Sequence, residues 1–285
     1  MSVDSSRDGI WITPDTKVGH RRYIHAERRH TSGRHAHPML LRTVLGSLAE
    51  LVAPTRCAAC RRPGDPICAT CARLLEPPSG PRCARCGQLT AIDVERCPEC
   101  PGARLHCTHA FGYRGPIPEI VNAFKDRNRT DLARPLAALV ADQIPPPVAG
   151  TVLVPVPLST RRQRERGYNQ AEILARALGT RWGIEARNLL ERTHDGPHQR
   201  GAGRDARAAQ VRGAFALRRG VVGIEHVVLI DDVHTTGATL AACARAFRSS
   251  GVNVITAIAV ARVWPSYPSL DTVRHWSGTG DEESD

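Results

Sequence analysis

The sequence predicts an α/β protein in which helices cover both faces of a parallel sheet, preceded by a small cysteine-rich module. Two observations carry this prediction. Continuous apolar runs at 151–156, 227–230 and 254–260 alternate with helical stretches, which is the pattern of buried parallel strands joined by helices. Four Cys-x-x-Cys pairs lie together ahead of the first run.

The composition is that of a folded, basic chain. Of its 285 residues, 41% are apolar, and no apolar run reaches the roughly 18 residues of a membrane-spanning helix. The formal net charge is +11, but only two of the 39 cationic side chains are Lys, a skew that points to coding bias. A basic balance permits phosphate-rich partners without establishing one. The polar start does not resemble a secretory signal, so a cytoplasmic protein is expected.

The eight paired cysteines predict two structural zinc sites. Two thiolates three residues apart on a tight turn bind one side of a tetrahedral ion, and a second such turn completes it. Consecutive pairing is favoured over an interleaved arrangement because it leaves shorter gaps. Reduced or redox-active cysteines are the alternative. Cys107 and Cys243 are expected to be packing residues. The ligands would be Cys57, Cys60, Cys68 and Cys71 in one site, and Cys83, Cys86, Cys97 and Cys100 in the other.

The chain divides into four predicted parts. Residues 1–38 are expected to be a disordered basic tail or to precede the true start at Met39. Residues 39–105 combine an apolar helix at 39–52 with the zinc module, 106–265 form the α/β domain, and 266–285 form a tail. Within the α/β domain we expect a strand around 110–113, helices at 117–125, 132–143, 169–178 and 239–249, and a polar loop at 159–167.

The segment 227–240 is the most informative. Its apolar strand ends in Asp231 and Asp232, and a loop of small residues then runs into a helix. Loop N–H groups and hydroxyls can surround a phosphate there, and a glycine lets the backbone approach closely. Paired carboxylates suit sugar hydroxyls or a hydrated Mg²⁺. These features predict a site for a phosphorylated sugar, with an ordinary acidic loop as the alternative. The loop comprises Thr235, Thr236, Gly237, Ala238 and Thr239.

This segment resembles the 5-phosphoribosyl-1-pyrophosphate (PRPP) signature of type I phosphoribosyltransferases. From about Met39 to Val263 the chain resembles the ComF family, whose members join a zinc-binding segment to that fold. The further matching pieces are Val-Pro-Val-Pro-Leu at 154–158, Glu-Arg-Gly-Tyr-Asn-Gln-Ala at 165–171 and Val-Arg-Gly-Ala-Phe at 211–215.

The resemblance implies a type I phosphoribosyltransferase-like sheet and a role for each matching residue. Asp231 and Asp232 would hold the ribose hydroxyls with Mg²⁺ nearby, and Thr235 through Thr239 would bind the 5-phosphate. Lys125 coincides with a lysine of the family, a surface lysine being the alternative. Asn169 is either a site residue or a helix N-cap. The arginines expected to face pyrophosphate, if they are not simply solvated, are Arg161, Arg162, Arg164 and Arg166.

Residues 193–213 take the position of the loop that closes over the reacting centre in that superfamily. Here the chain departs from the family pattern. It has Gly-Ala-Gly at 201–203, where the family usually has a leucine, and Arg-Ala-Ala-Gln at 207–210, where the family has Arg-x-x-Asn.

Three functions fit these features. The first is Mg²⁺-dependent transfer of ribose 5-phosphate from PRPP to an unidentified acceptor. The second, implied by the ComF resemblance, is non-catalytic handling of single-stranded DNA alongside competence proteins; however, aromatic residues, the usual stacking platforms, are only 4% of the chain. The third is PRPP sensing. A competence-associated phosphoribosyltransferase-like protein is favoured, and a homo-oligomer is compatible with all three.

Overall fold

The computed structural model describes residues 54–98, 100, 105–193, 213–221, 223–252 and 254–264. All of them belong to one compact unit, Ala49–Asp285. The predictions for 1–38, for the helix at 39–52, for most of the loop at 193–213 and for the tail at 266–285 therefore fall outside the described residues.

Four parallel strands form the main sheet, as the apolar runs predict. Their order across the sheet is β1-β6-β5-β2, and β3 and β4 form a separate antiparallel pair. Parallel pairing of β5 with both β2 and β6 places their carboxyl ends at one edge. The strands are β1 (His106–Gly112), β2 (Thr151–Pro155), β3 (Leu190–Arg192), β4 (Phe215–Leu217), β5 (His226–His234) and β6 (Val254–Arg262).

The four helices expected in the α/β domain are confirmed, with ends shifted by a few residues. A short 3-10 helix, Thr130–Leu132, precedes α3. The helices are α1 (Ala69–Arg73), α2 (Ile117–Asp126), α3 (Ala133–Gln143), α4 (Thr160–Arg166), α5 (Gln170–Trp182) and α6 (Ala238–Arg248).

The prediction of a loop at 159–167 is wrong, because this segment forms α4. The Ser159 hydroxyl accepts a hydrogen bond from the backbone N–H of Arg162 at 3.2 Å, which caps the first turn. Gly167, with φ of +76°, ends the last turn. Arginine, glutamine and glutamate favour helices intrinsically, but none of the helix residues is buried, so apolar periodicity could not indicate this helix.

Two apolar clusters cover the two faces of the sheet. Leu153, Val228 and Ile230 pack with α2, α3 and α5 on one face. Val154 and Leu229 pack with α6 on the other. Burial on both faces explains why these strands are continuous apolar runs. Among the described residues, no helix is long and apolar enough to cross a membrane.

The cysteine-rich segment shares the core of the α/β domain. Cys57, Ile67 and Leu75 belong to the same apolar cluster as α2 and α3. A segment of this size builds little core of its own, so its order depends on these contacts and on whatever the cysteines bind.

The carboxyl edge of the sheet is uneven. The pairing of β2 with β5 ends at Pro155–Ile230. In contrast, β5 stays paired with β6 four residues further, to His234–Arg262. Asp231 and Asp232 therefore lie on an extension of β5 beyond its last pair with β2, at the edge where parallel α/β sheets bind their ligands.

Candidate functional site

The eight paired cysteines form two groups of four. In each group the sulfur atoms lie within 4.8 Å of one another. The grouping confirms the consecutive pairing predicted from the short gaps. We call Cys57, Cys60, Cys68 and Cys71 the first cluster, and Cys83, Cys86, Cys97 and Cys100 the second cluster.

The sulfur geometry of both clusters fits tetrahedral zinc. A Zn–S bond of about 2.3 Å places two sulfurs of a tetrahedral site about 3.8 Å apart. None of the ten cysteines forms a disulfide in the described structure, so the sulfurs are free to bind a metal. The sulfur separations are 3.6 Å for Cys60–Cys68, 3.4 Å for Cys83–Cys100 and 3.5 Å for Cys86–Cys97.

Backbone donors favour the thiolate form of one cysteine in each cluster. Burial raises the pKa of Cys57 and of Cys83, but backbone N–H donors prevail and lower each pKa to about 6. The two cysteines outside the clusters, Cys107 and Cys243, are buried in the apolar cluster around α6, which confirms their assignment to packing.

The acid pair on the β5 extension meets a single lysine. Nζ of Lys125, near the end of α2, lies 2.9 Å from Oδ1 of Asp232. The backbone N–H of Asp232 donates to Oδ1 of Asp231 at 2.9 Å. Asp232 is 3% exposed, and its Oδ2 atom has no hydrogen-bond partner among the described residues. A buried carboxylate oxygen without a donor is costly unless a ligand supplies one.

Asp231 binds its proton unusually tightly. Burial is the main cause, and the adjacent charge of Asp232 adds to it, so the pKa of Asp231 rises from 3.8 to about 7. The Lys125 ammonium opposes this rise. The pair therefore changes charge close to neutral pH, and a cation or hydroxyl-rich ligand would favour its ionised form.

The loop after the acid pair leads directly into α6. Gly237 has φ of +73°, a left-handed conformation that other residues adopt with difficulty, and it caps the helix. The hydroxyl of Thr236 accepts a hydrogen bond from the N–H of Ala238 at 3.4 Å. Thr235 is exposed, and Thr236, Ala238 and Thr239 are partly exposed, so the loop is open to solvent.

The four arginines of α4 divide into two pairs. Arg161 and Arg166 form ion pairs, Arg161 with Glu165 at 2.6 Å and Arg166 with Asp126 at 2.9 Å. Arg162 and Arg164 are exposed. Because Asp126 follows Lys125 in the chain, the ion pair of Arg166 brings the end of α4 beside the end of α2.

Asn169 acts as a helix N-cap, which was one of its two predicted roles. Its Oδ1 accepts a hydrogen bond from the N–H of Ala171 at 3.0 Å. Its Nδ2 donates to the carbonyl of Val156 at 3.0 Å. The side chain is buried and connects the chain after β2 to the start of α5.

A buried polar cluster joins the second cluster to the end of β5. Nη1 of Arg262 donates to the carbonyl of Cys86 at 2.6 Å and lies 2.9 Å from Nδ1 of His234. His109 Nε2 lies 2.7 Å from the same imidazole nitrogen. Burial, together with the charge of Arg262, lowers the pKa of His234 to about 3, and burial lowers the pKa of His109 as well, so both imidazoles stay neutral.

The chain shares sequence with proteins that combine these two parts. Residues 48–101 match the double zinc ribbon domain. DNA utilization protein YhgH of Salmonella typhimurium is 29% identical over 222 residues, which cover 72% of this chain and 96% of that protein. Competence protein F of Haemophilus influenzae is 29% identical over 226 residues, covering 73% and 96%. Over about seven tenths of its length the chain is similar to the ComF/YhgH proteins. Competence protein ComFC of Bacillus subtilis is 26% identical over 212 residues, covering 67% of this chain and 81% of that protein.

The sequence predicted the two cysteine clusters and the acid pair, but not the buried polar group around Arg262. The partners of His234 in that group, His109 and Arg262, are 125 and 28 residues away in the sequence. The only local signal is an arginine that ends a buried strand, which is a weak indication because arginine is abundant throughout the chain.

Proposed function

We propose that the carboxyl edge of the sheet binds PRPP together with Mg²⁺, and that the α/β domain is a type I phosphoribosyltransferase-like domain. The observation that carries this proposal is the order of features at the end of β5. The buried acid pair, the open threonine loop and the start of α6 follow one another where β2 no longer covers β5.

The threonine loop would bind the 5-phosphate. An 11-residue helix, α6, begins at Ala238, and the first backbone N–H groups of a helix carry a partial positive charge. The hydroxyls of Thr235 and Thr239 would add donors. Gly237 allows the chain to turn tightly around an anion, because it takes a left-handed conformation without strain.

The acid pair would hold the ribose. The buried Oδ2 of Asp232 needs a donor, and a ribose hydroxyl would provide one. Carboxylate oxygens are also suitable ligands for Mg²⁺, directly or through water. Mg²⁺, when bound, would supply positive charge that stabilises the departing pyrophosphate. Lys125 would keep the acid pair from repelling the polyanionic ligand, since its ammonium already neutralises Asp232.

The exposed arginines of α4 would face the pyrophosphate. Arg162 and Arg164 are exposed, whereas the charges of Arg161 and Arg166 are partly compensated by their carboxylate partners. The ion pair of Arg166 with Asp126 would hold α4 close to Lys125 and so bring positive charge of α4 near the leaving group.

The proposed reaction is a phosphoribosyl transfer. The bond between C1 of the ribose and the pyrophosphate oxygen breaks, and its electron pair leaves with pyrophosphate. A lone pair of the acceptor forms the new bond to C1, and the acceptor then loses its proton. Exclusion of water from this centre would favour transfer to the acceptor over hydrolysis.

A role in the use of DNA is the second candidate, and the relatives favour it. Their names describe competence and DNA utilization. The exposed arginines of α4 would contribute the phosphate contacts that dominate binding to single strands. The two candidates are compatible if PRPP acts as a signal rather than as a substrate.

Calorimetric titration with PRPP and Mg²⁺ tests the pocket. We expect saturable binding by the native chain and its loss in the Asp231→Asn/Asp232→Asn variant. Asp142→Asn is the matched control, because Asp142 pairs with Arg181 at the far end of α5 from the acid pair. Equal binding by all three proteins would refute the assignment of the site.

Two further assays separate catalysis from DNA handling. Release of pyrophosphate on addition of a nucleobase or amine acceptor would support transfer. Affinity for single-stranded DNA should fall when Arg161, Arg162 and Arg164 are replaced by Gln, and it should decrease with rising salt. DNA affinity that is unchanged by the three substitutions would argue against α4 as the contact surface.

A further inference from the structure

The second cluster is connected through Arg262 to His234, the residue that precedes the threonine loop, Thr235–Thr239. Three strands end in one row, where Gly112 pairs with Arg262 and Arg262 pairs with His234. The segment carrying the second cluster packs on this row. The next residue after His234 is Thr235, so any displacement of His234 is passed directly to the proposed phosphate loop.

The guanidinium of Arg262 contacts both the segment of the second cluster and the end of β5. Besides its contacts with the Cys86 carbonyl and His234, Arg262 donates from Nη2 to Oε1 of Gln88 at 3.0 Å and lies 3.9 Å from Sγ of Cys86. The arginine is 4% exposed, and its Nε has no hydrogen-bond partner among the described residues. A buried guanidinium in this position depends strongly on the acceptors that it has.

Direct packing reinforces this connection. Gly87, in the turn between Cys86 and Gln88, has φ of +66°, and a Cβ atom placed there would lie 2.7 Å from Nδ1 of His109. His109 in turn contacts His234. The backbone carbonyl of His234 accepts a hydrogen bond from the N–H of Val263 at 2.9 Å, so His234 is held by its main chain as well as by its side chain.

The second cluster has only a small apolar core among the described residues. That core consists of Cys83, Cys86 and Cys97, with Val94 and Cys100 packed against them. Four thiolates around Zn²⁺ would carry a net negative charge close to the Arg262 guanidinium. If the metal left and the four thiolates took up protons, that charge would disappear and the turn that presents the Cys86 carbonyl would loosen.

We propose that Arg262 is a positioning residue that couples zinc in the second cluster to the geometry of the threonine loop. The proposal rests on the proposed function for its ligand, PRPP, but the coupling itself is a property of the chain. If zinc in the second cluster strengthens PRPP binding, then PRPP must strengthen retention of that zinc by the same factor.

Reciprocity provides the test. Zinc transfer to a zinc-selective chelator is followed with excess Mg²⁺, with and without PRPP. We expect PRPP to raise the affinity of the native chain for one of the two zinc ions by about tenfold, and to have no such effect in Arg262→Met. The matched control is Arg181→Met, which removes a partly exposed arginine in the last turn of α5. This variant should behave like the native chain. The same PRPP effect in Arg262→Met would overturn the proposal.

A second measurement needs no ligand. Hydrogen exchange of the zinc-loaded proteins should show faster exchange at Thr235–Thr239 in Arg262→Met than in the native chain, with Arg262→Lys in between because it keeps a charge but loses the fork of donors. Unchanged exchange in this loop would overturn the coupling. Failure of the proposed function is a different outcome: the native chain would bind no PRPP, while the exchange difference would remain.

Discussion

The ammonium of Lys125 and the carboxylate of Asp232 form a largely buried ion pair at the centre of the proposed site. Nζ lies 2.9 Å from Oδ1, and the two side chains are 22% and 4% exposed. The pair joins the end of α2 to the extension of β5, two elements that are more than 100 residues apart in the sequence.

Replacing Lys125 by Met should destabilise the fold. The substitution leaves Asp232 buried without its counter-charge, and we expect the free energy of unfolding to fall by about 2 kcal/mol. PRPP affinity should fall as well, because the acid pair would then repel the ligand. Chemical denaturation and calorimetry measure the two effects.

The double variant Lys125→Met/Asp232→Asn is the control for this pair. Removal of both charges should recover part of the lost stability, although not the PRPP affinity. A single variant as stable as the native chain would contradict the importance of the ion pair.

Stability should decrease as pH rises through neutrality. The pKa of Asp231 is about 7 in the folded chain and 3.8 ordinarily, so the folded state binds the proton more tightly than the unfolded state. The resulting stabilisation is complete below pH 3.8 and is lost as pH rises toward and through about 7. Urea unfolding between pH 6 and pH 8, within the range where thiolates retain zinc, should show this decline at about 1.4 kcal/mol per pH unit or less.

Asp231→Asn should remove this component of the pH dependence, because an amide does not titrate. Asp142→Asn, at an exposed ion pair on α3, should keep it. If the slopes of the native chain and Asp231→Asn coincide, Asp231 does not carry a raised pKa.

Gly87→Ala should cost more than an ordinary substitution of a left-handed glycine. The added Cβ would lie 2.7 Å from Nδ1 of His109, in addition to the backbone strain at φ of +66°. Gly183→Ala is the matched control, because Gly183 has φ of +69° and no heavy atom within 4 Å of an added Cβ. We expect Gly87→Ala to lower the free energy of unfolding by about 1–3 kcal/mol more than Gly183→Ala does. Equal losses would show that the turn does not press on His109.

The protein purified with zinc should contain two zinc ions per chain, by elemental analysis and native mass spectrometry. Cys60→Ser should lower the content to one, because Cys60 is an exposed ligand of the first cluster whose loss opens a four-thiolate site. Cys107→Ser and Cys243→Ser alter cysteines outside both clusters and should keep two. Loss of zinc from either of these variants would indicate a different set of ligands.

The sequence predicted the features that depend on local spacing. A Cys-x-x-Cys pair brings two ligands to one ion regardless of the rest of the fold, so the clusters and even their pairing followed from short gaps. The apolar runs of β2, β5 and β6 predicted buried parallel strands for a similar reason, since burial on both faces requires apolar residues at successive positions. The acid pair and its threonine loop were visible because they follow a strand directly.

Polar residues inside regular structure were harder to predict. β5 continues through Asp231 and Asp232 to His234, because backbone pairing with β6 does not depend on side-chain polarity. α4 was expected to be a loop, since a helix without buried residues shows no apolar period. Its cap residues, Ser159 and Gly167, were the signal that could have revealed it.

The sequence alone thus determined the two four-cysteine clusters, the parallel sheet and the position of the acid pair, all of which follow from residues close together in the chain. Only the tertiary structure decided what surrounds that pair. Lys125 meets Asp232, Arg262 meets Cys86 and His109 meets His234 across at least 107 residues, because strand order and helix packing bring them together. No local pattern encodes those contacts, since each depends on how the whole sheet is assembled.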